Sequence, residues 1–269
     1  MLSLIKQLSF YKSEVIVSKE DLNMTTALLI VLGIVIGTFV IATGGGGAAF
    51  YLGILSSFFN LPPATAAATS IVTALPSLVI GTIAYIRQGR VNFHLGNQMM
   101  IAALPAVVVG SFISPYIPRL VYTWLIGIIL AALGVQILIK QRKTATTKKT
   151  HGKFTAQMFG VVSGLMVGVA GLSGGGPVLA GLLILGLDTF NATATSSYVL
   201  VGMSFLGSIF HMTTGNVYWK AGIPLIIGAI IGALLAPLLV NKLAKSKRAY
   251  LVQYFIAILL IIMGIKTVL

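Results

Sequence analysis

Two glycine runs stand inside long apolar sequence, and each is followed by an alanine-rich stretch that ends in a Thr-Ser pair. A helix that breaks at membrane depth exposes N–H and C=O groups that lipid cannot satisfy, so such a break must line a cavity or meet protein. The helix that resumes after the break presents free N–H groups at the positive end of its dipole, which favours an anion. The pattern therefore predicts a small-anion site formed by Gly44, Gly45, Gly46, Gly47, Thr69, Ser70, Gly174, Gly175, Gly176, Thr195 and Ser196.

These residue types also have a purely structural interpretation, which the sequence leaves open. Serine and threonine often donate to carbonyl groups of their own helix, and glycines let membrane helices approach one another closely. We expect the isolated glycines to be such packing positions: Gly33, Gly37, Gly81 and Gly110. Thr65 and Asn191 occupy equivalent places before the two Thr-Ser pairs, and Asn191 is added to the predicted substrate-binding set.

Few ionisable residues stand near the apolar segments. Asp188 is the one carboxylate there, since the other three acids precede residue 24. Asp188 and His211 are the candidates for proton exchange, although Asp188 could equally cap the helix that starts near Phe190. Arg87 and Arg90 could gather anions at a vestibule or anchor the chain beside lipid headgroups.

The composition is that of a helical membrane protein. Of the 269 residues, 57% are hydrophobic and 8% are charged, against about 25% charged in soluble domains. Solid apolar runs, rather than alternating ones, exclude an outer-membrane barrel. The formal net charge of +14 fits basic cytoplasmic loops or the attraction of an anionic solute, and we expect no nucleic-acid partner.

No catalytic constellation is present in the sequence. Cysteine is absent, which rules out thiol chemistry, and the chain has no phosphate-binding loop, paired carboxylates or histidines at metal-ligand spacing. We therefore expect neither an enzyme nor a resident cofactor or metal, and the energy for any movement of solute has to come from a gradient or a partner.

The chain divides near its middle into two similar halves. We predict a polar lead-in at 1–23, a first repeat at 24–139, a basic linker at 140–153 and a second repeat at 154–269. The fold class is all-α and polytopic, with two homologous repeats of four or five membrane segments. Each repeat includes a short half-helix next to its glycine run, at 48–59 and 178–187. Equivalent residues recur at a constant offset, from Thr69 and Thr195 onward.

The direction of the repeats depends on the short segments. If these turn back without crossing, each half has four spans and the repeats are parallel; otherwise each half has five crossings and the repeats are inverted. The charges favour the inverted arrangement, which places Arg87 and Arg90, the linker and the cluster at 242–248 on one side. By the positive-inside rule that side is the cytoplasm.

The duplicated glycine runs, the Ala-x-Ala-Thr-Ser segments and the closing turns at 89–92 and 215–219 resemble the sulfite exporter TauE/SafE family. The resemblance spans about residues 28–268. It implies a secondary transporter of the inner or plasma membrane, with alternating access, that exports sulfur-containing anions such as sulfite or organosulfonates. A facilitative pore or permease for another small anion or a neutral solute is the alternative, and a homodimer is one option for assembly. The first half departs from the family pattern, since the run Ala48-Ala49-Phe50-Tyr51 lacks a proline.

Overall fold

The computed structural model describes residues 19–43, 47–140, 153–172, 174–214 and 217–244, together with seven residues between 258 and 268. Its named elements are all helices, which confirms the predicted all-α class. They are α1 Lys19–Thr43, α2 Gly47–Ser57, α3 Pro63–Arg87, α4 Phe93–Ile113, α5 Arg119–Lys140, α6 Lys153–Ala170, α7 Gly175–Ile184, α8 Thr189–Thr214 and α9 Trp219–Ala244. A single 3-10 turn, Ser114–Tyr116, joins α4 to α5.

Three helix starts differ from the sequence expectation. Helix α1 begins at Lys19, inside the segment predicted to be a polar lead-in. The short helices α2 and α7 begin on the glycines themselves, at Gly47 and Gly175, rather than after them. In α7 this early start is possible because Pro177 falls in the first turn, where a missing N–H group removes no helical hydrogen bond.

Within the described ranges, four helices are long and apolar enough to cross a membrane: 63–87, 93–113, 190–213 and 219–236. Shorter apolar helices accompany them, including α2 and α7. Large apolar side chains such as Ile101, Leu120 and Leu234 are exposed on the outer faces of the long helices, as expected for surfaces that meet lipid. The protein is therefore a multi-pass membrane protein.

The closest helix contacts join the first half of the chain to the second. Helix α1 packs along α9. A Cβ added to Gly33 would lie 2.6 Å from the Leu225 carbonyl oxygen, and a Cβ added to Gly37 would lie 2.5 Å from the Ala229 carbonyl oxygen. Helix α6 packs along α4, where a Cβ on Gly110 would lie 2.9 Å from the Val169 nitrogen. The predicted packing role of these three glycines is confirmed, because any side chain would push the two backbones apart.

Within each of these pairs the helices run in the same direction. Along α9, Gly228 faces the carbonyl of Ile30 and Gly232 faces that of Ile34, so the contact advances toward both carboxyl ends together. The same advance occurs between α6 and α4, from the Gly160–Met99 contact to the Gly168–Val107 contact. The first helix of each half thus runs parallel to the fourth helix of the other half.

Helices α3 and α8 form the centre of the molecule and pack on each other. Near its end, α3 meets the end of α1, since a Cβ on Gly81 would contact the Ile41 side chain. This confirms the packing role predicted for Gly81. At the same end of the bundle, Arg90 lies over the Phe190 ring in the first turn of α8, 5.3 Å from its centroid. The end of α3, the end of α9 and the starts of α4, α6 and α8 therefore share one end of the bundle.

Candidate functional site

The second glycine run forms a true helix break. Helix α6 ends at Ala170, Gly171 and Gly174 have φ of 63° and 59°, and α7 starts at Gly175. Both φ values lie in the left-handed region, which glycine adopts at no steric cost. Neighbouring groups also leave no room for a side chain, because a Cβ on Gly171 would lie 2.6 Å from the Ala67 Cβ atom and one on Gly174 would lie 2.7 Å from the Ser163 carbonyl oxygen.

The start of α7 presents main-chain donors that have no acceptor among the described residues. The first N–H groups of any helix lack a helical partner, and Gly174, which precedes this helix, has no side chain to accept from them. Pro177 has no N–H group, and the N–H of Val178 donates to the Gly174 carbonyl at 3.4 Å. Within the described part of the chain, which excludes Ser173, the two adjacent N–H groups of Gly175 and Gly176 have no acceptor and lie at the positive end of the α7 dipole. Gly175 is buried and Gly176 half-buried.

The first glycine run lies mostly outside the described residues, which exclude Gly44, Gly45 and Gly46. Helix α1 ends at Thr43 before this run, and α2 begins at Gly47 after it. Gly47 is buried and faces the Val40 side chain of α1. Apart from Ser56, every residue of α2 is buried, so this short helix lies inside the protein rather than against lipid.

Ser70 joins the centre of the molecule to the second break. Its buried hydroxyl donates to the carbonyl of Ala67 at 2.9 Å and to that of Gly171 at 3.3 Å. The structure therefore brings a predicted site residue of the first half to the glycine break of the second half. Ser196, the equivalent serine of α8, is also buried, and its hydroxyl has no hydrogen-bond partner among the residues that the structure describes.

The two predicted threonines accept main-chain hydrogen bonds at helix starts. The Thr69 oxygen accepts from the Tyr218 N–H just before α9, and the Thr195 oxygen accepts from the Asn92 N–H just before α4, each at 2.9 Å. The Thr69 hydroxyl also donates to the Thr65 carbonyl at 2.7 Å, so it has no hydrogen left for an anion in this conformation. A contribution of either threonine to binding stays a prediction.

Asp188 caps α8, as one of the two interpretations of the sequence proposed. Its Oδ1 accepts from the N–H groups of Phe190 and Asn191 at 3.0 and 3.1 Å, and its Oδ2 accepts from the Asn191 side chain at 2.6 Å. These bonds, led by that of the Asn191 N–H, hold the pKa of Asp188 below its ordinary value. The predicted ligand Asn191 is thus engaged in the cap, and exposed Arg87 and Arg90 lie at the same end.

His211 lies at the other end of α8 and is 2% exposed. Its Nε2 atom is 3.2 Å from the carbonyl oxygen of Val167, one turn before the Gly171 break. Tyr85 makes the corresponding contact in the first half, from its hydroxyl to the carbonyl of Ile41. The two residues of each pair are 44 positions apart in the chain. Ile41 corresponds to Val167 and Tyr85 to His211, in both cases at an offset of 126 positions.

Two residues were not predicted from the sequence: Tyr85, which contacts the end of α1 before the first glycine run, and Ser163, which lies beside the second break. Tyr85 could have been found by applying the offset of the Thr-Ser pairs to His211. Ser163 gave no sequence signal, since an isolated serine in an apolar helix is common. Its buried hydroxyl has no hydrogen-bond partner in the described part of the chain, and its own carbonyl lies beside Gly174. A buried polar group without a partner calls for an explanation, and a bound ligand is one.

Comparison with known proteins finds one family along nearly the whole chain. The family model described as "Sulfite exporter TauE/SafE" matches residues 29–267. Among curated proteins, the chain is 24% identical to "Probable membrane transporter protein YunE" of Bacillus subtilis, over 88% of this chain and 96% of that protein. It is 25% identical to "Probable membrane transporter protein YdhB" of the same organism, over 81% and 90%. A shorter match reaches "Undecaprenyl-diphosphatase" of Enterococcus faecalis, 28% identical over 55% of this chain and 57% of that protein.

Proposed function

This chain belongs to the sulfite exporter TauE/SafE family of membrane transporters, and from that premise we propose that it exports a small sulfur-containing anion, such as sulfite or an organosulfonate. The anion binds between the two glycine breaks, and the protein exposes this site to the two sides of the membrane in turn. One observation carries the proposal: at the break before α7, inside a membrane domain, the N–H groups of Gly175 and Gly176 stand at a helix start with no acceptor among the described residues.

Backbone N–H groups suit an anion that has to be released again. They are neutral and fixed in direction, so they stabilise a negative charge without the strong pairing of a buried arginine or lysine. Among the described residues the hydroxyls of Ser163, beside the second break, and Ser196, proposed below to face the first glycine run, are buried without partners, and each adds a neutral donor at its own glycine run. An oxyanion presents several acceptor oxygens, and it can satisfy main-chain and hydroxyl donors together.

We propose that residues 24–139 and 154–269 are internal duplicates. The first glycine run then supplies a contact to the anion that is equivalent to the one at the break before α7. The support for the duplication is the recurrence of two hydrogen bonds at an offset of 126, those of Thr69 and Thr195 and those of Tyr85 and His211. By the same offset Ser196 corresponds to Ser70, and Gly45 to Gly171. We therefore propose that Ser196 faces the first glycine run, as Ser70 faces the second.

We further propose that the two repeats are inverted and that the basic end of the bundle is cytoplasmic. The helix directions support this arrangement, because the ends of α1 and α3 meet at Ile41 and Gly81, so that α1 runs opposite to α4, the helix that returns after α3, and α6 runs parallel to α4. The ends of α3, α5 and α9, where the basic clusters begin, then lie on one side. Alternating access would arise from movement of one half against the other about the central helices α3 and α8.

Flux of labelled sulfite in proteoliposomes is the direct test. Saturable uptake that is accelerated by unlabelled sulfite on the opposite side is the expected result, since a carrier with alternating access exchanges its substrate. In Gly175→Leu the added side chain keeps the anion away from the main-chain N–H groups, and Ser196→Ala removes the unpaired hydroxyl. Both variants are therefore expected to lower uptake by about tenfold or more. Thr213→Ala is the matched control, because Thr213 is an exposed α8 hydroxyl that bonds to Phe210 of its own helix.

Two results would contradict this proposal. Normal uptake by Gly175→Leu and Ser196→Ala would remove the assigned site while leaving the family membership intact. Flux that neither saturates nor exchanges would favour the alternative, a facilitative pore for another small anion or a neutral solute.

A further inference from the structure

His211 is an ionisable side chain inside a membrane-spanning helix, and its counterpart in the other half cannot change charge at neutral pH. Tyr85 holds the carbonyl of Ile41 through a phenol, whereas His211 holds the carbonyl of Val167 through an imidazole. A plain structural bond would be served by either residue. The titratable member of the pair is the one beside the break before α7, and ionisable residues at membrane depth are costly and commonly functional.

The geometry defines which nitrogen can take up a proton. A carbonyl oxygen only accepts hydrogen bonds, so the Nε2 atom that faces Val167 carries its hydrogen. The Nδ1 atom is then the position at which the ring becomes an imidazolium. Val167 is in the last turn of α6, whose carbonyl groups form the negative end of that helix dipole and favour a nearby cation.

The ionisable groups on the helices packed against α8 include no carboxylate in the described part of the chain; Glu20 and Asp21 begin α1, which is not one of those helices. On the helices packed against α8 these groups are Tyr85, Arg87, His94 and Lys153, all toward the opposite end of the bundle, and α7 has none. At the same end as His211, the Tyr122 hydroxyl donates to the Val169 carbonyl and Lys220 is exposed at the start of α9. Asp188 precedes α8 at its far end.

We propose that His211 is the proton-coupling residue of this transporter, which binds a proton on Nδ1 together with the anion at the adjacent break. This inference rests on the proposed function. Val167 and Gly171 are four residues apart, or about 6 Å along a helix axis, so an anion at the break is close enough to act as the counter-ion that His211 lacks. A buried imidazolium without a partner is unfavourable, and a buried anion is too. Each therefore raises the affinity of the other, by the same factor in both directions.

The coupling is tested with purified protein in liposomes that contain a pH-sensitive dye. The substrate is a labelled alkanesulfonate, which remains a monoanion over the pH range used. For the wild type we expect proton movement that depends on substrate, at about one proton per anion. His211→Tyr installs the residue of the other half and keeps a hydrogen-bond donor to Val167. We expect its proton-to-anion ratio to fall by about tenfold, whatever its absolute rate.

Controls separate this inference from the proposed function. Tyr85→Phe deletes the corresponding hydrogen bond in the first half without touching a titratable group, and it should keep the wild-type ratio. If His211→Tyr does not give a monodisperse protein, His211→Gln takes its place, because its amide also donates. A wild type that takes up the sulfonate in net transport without moving protons, or a His211 variant that keeps the full ratio, overturns the role of His211. A wild type that exchanges neither sulfonate nor sulfite overturns the proposed function instead.

Discussion

Thr69 and Tyr218 are 149 residues apart in the chain, and the hydroxyl oxygen of Thr69 accepts a hydrogen bond from the main-chain N–H of Tyr218 at 2.9 Å. Thr195 accepts from Asn92 in the same way. Each bond satisfies a donor just before a long membrane helix, where the first N–H groups have no helical partner. The two central helices thus fix the starts of α9 and α4, and each bond joins the two halves of the protein.

Removing either hydroxyl should weaken the fold modestly and by similar amounts. Thr69→Val and Thr195→Val keep the side-chain volume and remove the acceptor, so each is expected to lower the free energy of unfolding by about 0.6 kcal/mol, and by no more than about 2 kcal/mol. Because the two contacts lie at opposite ends of the bundle, the double variant should show the sum. Unfolding in mixed micelles measures these changes. Thr69→Ser keeps the oxygen, and a loss as large as that of Thr69→Val would contradict the bond.

The glycine break before α7 should be intolerant of any side chain. Gly171→Ala should lower the free energy of unfolding for two reasons. Alanine in a left-handed backbone costs about 1 kcal/mol, and overpacking against Ala67 costs about 1–3 kcal/mol. Gly89→Ala is the matched control, because Gly89 has φ of 65° but nothing within 4 Å of the added Cβ, so only the backbone term applies. Equal destabilisation of the two variants would show that contact with Ala67 does not constrain the break.

Ser163→Ala should separate stability from transport. The hydroxyl is buried without a partner, so its removal should leave the free energy of unfolding unchanged or raise it. If that hydroxyl faces the anion, the KM for sulfite should rise several-fold. Ser70→Ala is the contrasting variant, because it loses the bond to Gly171 and should be destabilised by about 0.6 kcal/mol. An unchanged KM for Ser163→Ala would exclude this serine from the site.

The Asp188 cap should make stability depend on pH at the acid end. Hydrogen bonds to the carboxylate lower the pKa of Asp188 in the folded protein below the value of about 3.9 found in unfolded chains. Its stabilisation is therefore complete above that unfolded value and is lost as the pH falls through the lowered folded value. Asp188→Ala should be less stable than wild type by about 0.5–1 kcal/mol at pH 7, because a helix cap is lost.

Thermal unfolding from pH 7 to pH 2 checks this expectation, with the wild type and Asp188→Ala converging at the acid end. Asp188→Asn keeps an oxygen that can accept from the Asn191 N–H, so its stability should change less with pH than that of the wild type. A constant difference between wild type and Asp188→Ala across this range would exclude the charged cap.

Composition and local pattern determined the class of this protein and the position of its irregular features. Apolar runs that exceed the bilayer thickness predict spanning helices, and the break before α7 was predicted because glycine is the residue that accepts left-handed backbone without strain. The alternative role of Asp188 as a cap also followed from local chemistry, since the residue and the N–H groups that it accepts from lie within three positions. The helix starts at Lys19 and Gly175 were missed by a few residues, because apolarity does not mark where hydrogen bonding begins.

Only the tertiary structure decided which partners these residues have. A stripe of small residues such as Gly33 and Gly37 shows that another backbone can approach, but many apolar faces could fill that place, and the choice of α9 is made by packing. The same holds for the Thr-Ser pairs, whose hydroxyl partners depend on contacts across more than 100 residues. Sequence periodicity carries local geometry, whereas the pairing of distant helices depends on the fit of whole surfaces, which no single segment contains.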